Sequence, residues 1–290
     1  MASKYPVEKC INFEPATRQV FLSISDALSK VNHRLYRMTR KYYADVRLTN
    51  AQLTAPATAC GADVYVLNNT WMLDKAVAFA RSAYEKAVKE EKKVLGGQLA
   101  RWHDFRLNLN PSDGQNQNGV AYTQIMPQFV NADDLSVSLL TSGDFELSVA
   151  RDEDTNTGYN FGLWESGSQY NILKEYEKSA STEDSPDDIE MSMPYDAIDD
   201  EAQSTTFTEL QQQGNEPPYN KDSMNDQQLW RHAGEIYSNN DGTQKLSTGI
   251  ICAPLGVVMI VPKSSSTQDP HICIHCKLGD YKGVHSEAMS

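Results

Sequence analysis

The chain has 290 residues, enough to bury a sizeable core, with 40% hydrophobic and 22% charged side chains. Those shares exclude a collagen-like chain, a coiled-coil rod and a wholly disordered protein. The net charge of −13 excludes a uniformly basic surface, yet it averages two unlike stretches: residues 1–110 hold 17 cations and 10 anions, residues 111–290 hold 9 and 29. One surface for a polyanion and another for solvent is the expectation.

The opening stretch, Met1 to Lys9, mixes charges where a secretory signal needs an apolar core. Ser25-Asp26 then reads as a helix N-cap pair. Leu28, Val31, Leu35 and Met38 follow at helical spacing, and Lys30, Arg34, Arg37 and Lys41 form a second stripe roughly 110° round the same helix. His33, Tyr36 and Arg40 fill out this basic N-terminal helix, and no acid lies between Lys30 and Lys41. Tyr42, Ala44, Val46 and Leu48 then alternate with polar residues, as a half-buried strand does, and Ala62 to Leu67 is a second strand. Trp71 to Val94 is the clearest helix, with Leu73, Val77, Ala80, Tyr84 and Val88 on its buried side and Glu85–Lys89 as an outer pair. A short aromatic-basic segment runs from Ala100 to Leu107.

Beyond Gly119 the pattern is β. Leu135, Val137 and Leu139 alternate, Ser142-Gly143-Asp144 turns, and Phe145, Leu147 and Val149 alternate again, which predicts a hairpin. Tyr159 to Trp164 is a further strand. Residues 179–220 lack Lys and Arg and contain a dense acidic run, the composition of surface loops. A second hairpin is expected around Asn240-Asp241-Gly242, and Ile250 to Val261 and Ile272 to Leu278 read as buried strands. Ile250 to Val261 is also the longest apolar stretch, 12 residues broken by Pro254 and Gly256, too short for a spanning helix. The five cysteines, an odd number in a chain that needs no staples, point to a reducing compartment. The expected fold is a mainly β, antiparallel β-sandwich of jelly-roll type, one domain over residues 1–290, with a helical insertion at about 70–106 and acidic loops at about 179–220.

Clustered cations on one face release counterions from any phosphate backbone, so Lys30, Arg34, Arg37, Arg40 and Lys41 are the candidate nucleic-acid contacts. Tyr36, Tyr42 and Tyr43 are candidates to stack on unpaired bases. The plainer reading is a solvated face, or one that pairs with acids of the same chain. His271, Cys273 and His275 would share one face of a strand, a partial zinc pattern without a second ligand pair to complete it; the alternating isoleucines suit a packed strand equally. Asp152, Asp154 and Asn156 resemble the first half of a calcium loop, but the glycine stands seventh and Leu163 twelfth, so an EF-hand is excluded. A loose Ca2+ site or an Asx-rich turn remains. Otherwise no cofactor is expected. No GxSxG, HExxH, GxGxxG or P-loop motif is present, so an enzyme is not expected.

The run Ser25-Asp26-Ala27-Leu28-Ser29-Lys30-Val31-Asn32-His33-Arg34-Leu35-Tyr36-Arg37 with Arg40-Lys41-Tyr42-Tyr43, then Val64 to Leu67 with Trp71, and Ala100 to Arg106, resembles capsid proteins of small, uncultured single-stranded DNA viruses. The likeness covers the first 110 residues. It implies a jelly-roll subunit, assembled from many copies of itself into an icosahedral shell round viral nucleic acid, located in the virion, made in the reducing interior of a host cell, and without a membrane. One departure is that Met1 to Asn12 is no Arg-rich arm, which leaves genome contact to the basic helix or to other means. Two other classes stay open: a β-sandwich adhesion or glycan-binding module using Trp164, Tyr170 or Trp230, and a metal-dependent hydrolase using the His271–Cys276 cluster.

Overall fold

The computed structural model describes residues 6–49, 59–94, 104–109, 123–130, 136–140, 148–151, 158–163, 169–180, 229–239, 242–263 and 268–289. Eight of its strands form two facing sheets: β1 (Cys10–Asn12), β2 (Val20–Ser23), β3 (Arg40–Leu48), β4 (Cys60–Leu67), β5 (Trp230–Ser238), β6 (Ser247–Ala253), β7 (Val257–Pro262) and β8 (Ile272–Cys276). The first sheet runs β1-β8-β3-β6, with Ser286–Ala288 beside the start of β3. The second runs β2-β7-β4-β5, extended by Gln244–Lys245 beside β5 and by Thr123–Gln124 beside β2. Within these eight strands every pairing is antiparallel. Counted along the chain, first pairs with eighth, second with seventh, third with sixth and fourth with fifth. The protein is mainly β, its antiparallel sheets packed as a sandwich.

Alternation explains which side chains fill the space between the sheets. Tyr42, Ala44, Val46 and Leu48 of β3 meet Ile272, Ile274 and Cys276 of β8 on the inner side, all at most 5% exposed. Val20, Leu22, Ala62, Val64, Val66, Val258 and Ile260 face them from the second sheet. Each buried Val, Leu and Ile among them contributes about 1.5–3 kcal/mol by leaving water. A second apolar cluster lies on the far side of the second sheet. There Phe21, Val257 and Met259 pack against Leu73, Ala76, Val77 and Ala80 of α2 (Trp71–Val94), Ile172 and Leu173 of a helix at Ile172–Ala180, and Phe105, Leu107 and Leu109. Among the described residues no helix is long and apolar enough to cross a membrane.

Four sequence expectations change. The basic helix stops early: α1 is Ile24–Asn32, so of the five candidate contacts only Lys30 is helical, while Arg34 and Arg37 lie in the following loop and Arg40 and Lys41 open β3. The reason is burial, because Tyr36 and Met38 both reach 1% exposure or less, two positions that a continuous helix would turn about 160° apart. Second, Val137–Leu139 pairs with Gln128–Val130 and Val149–Arg151 with Gly158–Gly162, while Phe145 and Leu147 of the expected hairpin lie outside the described residues. Alternation marks a strand without naming its partner.

Third, the apolar run from Ile250 to Val261 is two strands. Pro254-Leu255-Gly256 forms a tight 3-10 turn that carries the chain from one sheet to the other. Leu255 (φ 59°) and Gly256 (φ 68°) both adopt left-handed backbone there. Fourth, Glu85 pairs with Arg81 one turn earlier (2.8 Å). The acidic stretch from residue 181 to 220 lies outside the described residues, as does the candidate calcium loop at Asp152, Asp154 and Asn156.

Candidate nucleic-acid interface

The basic segment begins where α1 ends. Ser23 caps the helix, its Oγ accepting from the Asp26 N–H (3.4 Å), with Asp26 in the first turn. His33 takes the left-handed conformation (φ 50°) and its N–H bonds back to the Ser29 carbonyl, closing the last turn. Ser29 then holds the departing chain: its Oγ accepts the Tyr36 N–H at 2.9 Å and donates to the Ser25 carbonyl at 2.6 Å. Tyr36 drops into the core, where its hydroxyl donates to the Lys282 carbonyl (2.9 Å). The Tyr42 hydroxyl donates to the Arg37 carbonyl (2.7 Å). Neither ring is available to a base, which corrects the stacking expectation for both; each is 0% exposed. Tyr43 stacks beside His285 at 4.6 Å and donates to Glu287.

Arg106 supports this loop from beneath. It is 2% exposed, and its guanidinium donates to Ser25 Oγ (3.0 Å), to the Tyr36 carbonyl (2.8 Å) and to Asp26, with Asp104 at 3.2 Å. A charge this deep persists because two carboxylates and a carbonyl surround it. Burial nevertheless raises the Asp104 carboxyl above its ordinary value, with Arg106 and Arg37 pulling the other way.

A turn 240 residues further along the sequence completes the cluster. Between the short strands Leu278–Gly279 and Gly283–Val284, Tyr281 and Lys282 reach across to residues 34–40. The Tyr281 hydroxyl accepts the Arg37 N–H (3.2 Å), and its ring has the Arg40 guanidinium 3.8 Å and the Lys282 ammonium 5.5 Å from its centroid. The Lys282 ammonium also donates to the Leu35 carbonyl. Burial, and then the charges of Arg34, Arg37 and Arg40, press the Lys282 ammonium below its ordinary value, with Asp104 opposing. Arg34 Nη1 is buried with no hydrogen-bond acceptor among the described residues. Four cations therefore crowd one end of the sandwich, and one of them has an unused donor: the electrostatic setting an anion relieves.

Of the five sequence candidates, the structure brings Arg34, Arg37 and Arg40 together. Lys30 points elsewhere, donating to the Leu140 carbonyl at 3.3 Å. Lys41 is committed to Asp74 in the first turn of α2, at 2.7 Å with both side chains under 20% exposed. Lys282, Tyr281, Asp104 and Arg106 went unseen in the sequence. Lys282 has only a Tyr-Lys-Gly triplet round it, and Arg106 stands in the aromatic-basic segment with nothing to set it apart.

The zinc candidates lie on or next to β8. Cys273 and His275 alternate with the inward Ile272, Ile274 and Cys276, so they face outward, and the nearest sulfur to Cys273 is Cys10 Sγ at 2.9 Å. His275 stands across from Asp45, which is engaged with Arg47 and Ser247 (both 2.6 Å). Among the described residues no three His, Cys, Asp or Glu side chains converge as a metal group, so His271, Cys273 and His275 are not drawn together. Trp230, a glycan-platform candidate, packs on Phe21 with ring centroids 5.5 Å apart. No family model matches this chain, and no curated protein or solved structure matches it.

Proposed function

We propose that this chain is the shell subunit of a small virus: a jelly-roll domain that self-assembles into an icosahedral particle and contacts the genome through the basic end of its sandwich. The observation that carries the reading is the nested pairing of eight strands, first with eighth through fourth with fifth, in sheets β1-β8-β3-β6 and β2-β7-β4-β5. A long two-stranded ribbon rolled on itself has this order, and double-sheet jelly rolls of this kind build viral shells. Fold alone does not fix function. What points within that fold to a genome-packaging subunit is the crowding of Arg34, Arg37, Arg40 and Lys282 at one end, in a chain whose remainder is strongly acidic. Cations there neutralise phosphates without sequence preference, as a shell requires. Arg34, Arg37 and Lys282 take the role expected of the basic helix; Lys41, tied to Asp74, does not.

The test is electron microscopy and size-exclusion chromatography of the expressed full chain, with absorbance and nuclease protection reporting co-purified nucleic acid. Closed particles holding protected nucleic acid are expected. A protein that stays monomeric across salt, pH and divalent-ion conditions overturns the reading, and a monomer that binds glycans moves the fold to the lectin-like class.

A further inference from the structure

We infer that Cys10 and Cys273 are the two halves of a cross-strand disulfide that closes when the protein meets a small-molecule disulfide oxidant. β1 and β8 pair antiparallel with Cys10 opposite His275 and Asn12 opposite Cys273, so the two cysteines are diagonal neighbours on the outward side of the sheet. Their sulfurs stand 2.9 Å apart. A disulfide bond is about 2.05 Å long, so closure asks for under about 1 Å of sulfur approach; the diagonal register sets the two Cα atoms near the upper limit of what a disulfide spans, so the short edge strand shifts slightly with its sulfur. The other thiols are placed differently: Cys276 lies in the inter-sheet cluster, Cys60 is buried in β4, and Cys252 is on β6.

The chemistry divides between an accessible thiol and a sheltered one. Cys10 is exposed and Cys273 is buried. The Cys10 thiolate attacks one sulfur of glutathione disulfide, whose S–S bond breaks and releases one glutathione thiolate with the electron pair. Cys273, after giving its proton to solvent, attacks Cys10 Sγ and expels the second glutathione. Two protein thiols are oxidised, and one glutathione disulfide is reduced to two glutathiones. Burial holds the Cys273 thiol above its ordinary value, so the second displacement accelerates with rising pH.

The bond would pin an edge. β1 is three residues long and, among the described residues, pairs within its sheet only with β8. It is otherwise held by Ile11 in the core and by a reciprocal pair of bonds between the Glu8 backbone and the Asn32 side chain (2.8 and 2.9 Å). Linking positions 263 apart also encloses almost the whole chain in one covalent loop, the case in which cross-linking constrains the unfolded state most. Made reduced and later oxidised, the protein would carry a latch that is open during synthesis and shut afterwards.

The experiment purifies the full chain under reductant and transfers it to buffers poised with glutathione and glutathione disulfide. Peptide mass mapping and free-thiol titration then follow the cysteines, and thermal unfolding is compared between the two states. A Cys10–Cys273 peptide, three remaining thiols and a melting temperature higher by roughly 5 °C or more are expected. Cys10→Ser should abolish the shift while Cys252→Ser keeps it. Cys10 is exposed, so its variant folds even if a buried Cys273 variant does not. Five free thiols at an oxidising poise, a glutathione adduct that persists on Cys10, an intermolecular dimer, or a bond from Cys10 to another cysteine would each overturn the inference.

Discussion

Replacing Arg106 with methionine keeps the length and apolar stem of the side chain but deletes the charge at the centre of the basic end. The guanidinium bonds Ser25 Oγ and the Tyr36 carbonyl and neutralises Asp26 and Asp104. Removing one member of a buried ionic group typically costs about 3–5 kcal/mol, chiefly because the partners stay buried and unpaired. Asp104 is the costly one: its side chain is 8% exposed against 23% for Asp26. Its carboxyl is already raised by burial, and without Arg106 it rises further. A raised carboxyl contributes its stability in full below the unfolded value of about 3.9 and loses it as pH climbs through the folded value. The loss caused by R106M should therefore grow between about pH 4 and pH 7, and R106M/D104N should recover part of it. Urea unfolding at about pH 5 and pH 7 measures both quantities. A loss under about 1 kcal/mol, equal at the two pH values, would refute the argument that Arg106 is a buried electrostatic strut.

In nucleic-acid association, R34Q/R37Q/K282Q should weaken binding and reduce the salt slope by about 2, from three lost phosphate partners on single strands, while K41Q leaves the slope unchanged; filter binding across a salt series reads both. Burial pushes the Cys273 and Cys276 thiols up to about 12, so the stability they confer is complete below about pH 8.5 and drains away as pH climbs toward 12. Unfolding midpoints measured through that window should fall, and C276A should flatten the fall. At Gly256, φ is +68° and a Cβ would meet Tyr42 Cδ2 at 3.0 Å, so G256A should cost well over 1 kcal/mol; at Gly249, φ is +75° with nothing within 4 Å, so G249A should cost about 1–2 kcal/mol from backbone strain alone. Thermal unfolding of the two variants separates the contact from the backbone.

What the sequence disclosed follows from how locally each feature is determined. Alternation at Tyr42, Ala44, Val46 and Leu48 was legible because one sheet face is buried along all of β3. The helical periodicity through Met38 misled for a related reason: Leu35 and Met38 fall at helical spacing, but Tyr36, which such a helix would turn to another face, is buried with its hydroxyl on the Lys282 carbonyl, far along the chain. The same distance hid the cluster. Arg34, Arg37 and Arg40 announce themselves as a run, whereas Lys282 joins them through the Tyr281 ring and the Leu35 carbonyl, contacts no local pattern encodes. Arg106 shows the converse limit, since composition cannot tell a surface guanidinium from a buried one.

The nested strand pairing also has a consequence in time. During synthesis β1 and β3 emerge early, yet β3 sits between β6 and β8, and among the described residues the sheet neighbour of β1 is β8, the last of the eight strands to arrive. Closing such distant contacts carries a large chain-entropy cost, and until then the apolar sides of β2, β3 and β4 stay uncovered. A ribosome-bound fragment ending before Ile272 should thus remain protease-sensitive and chaperone-bound, and the native sandwich should form as a single late event. Such a delay keeps unfinished chains from presenting a completed sandwich surface to one another.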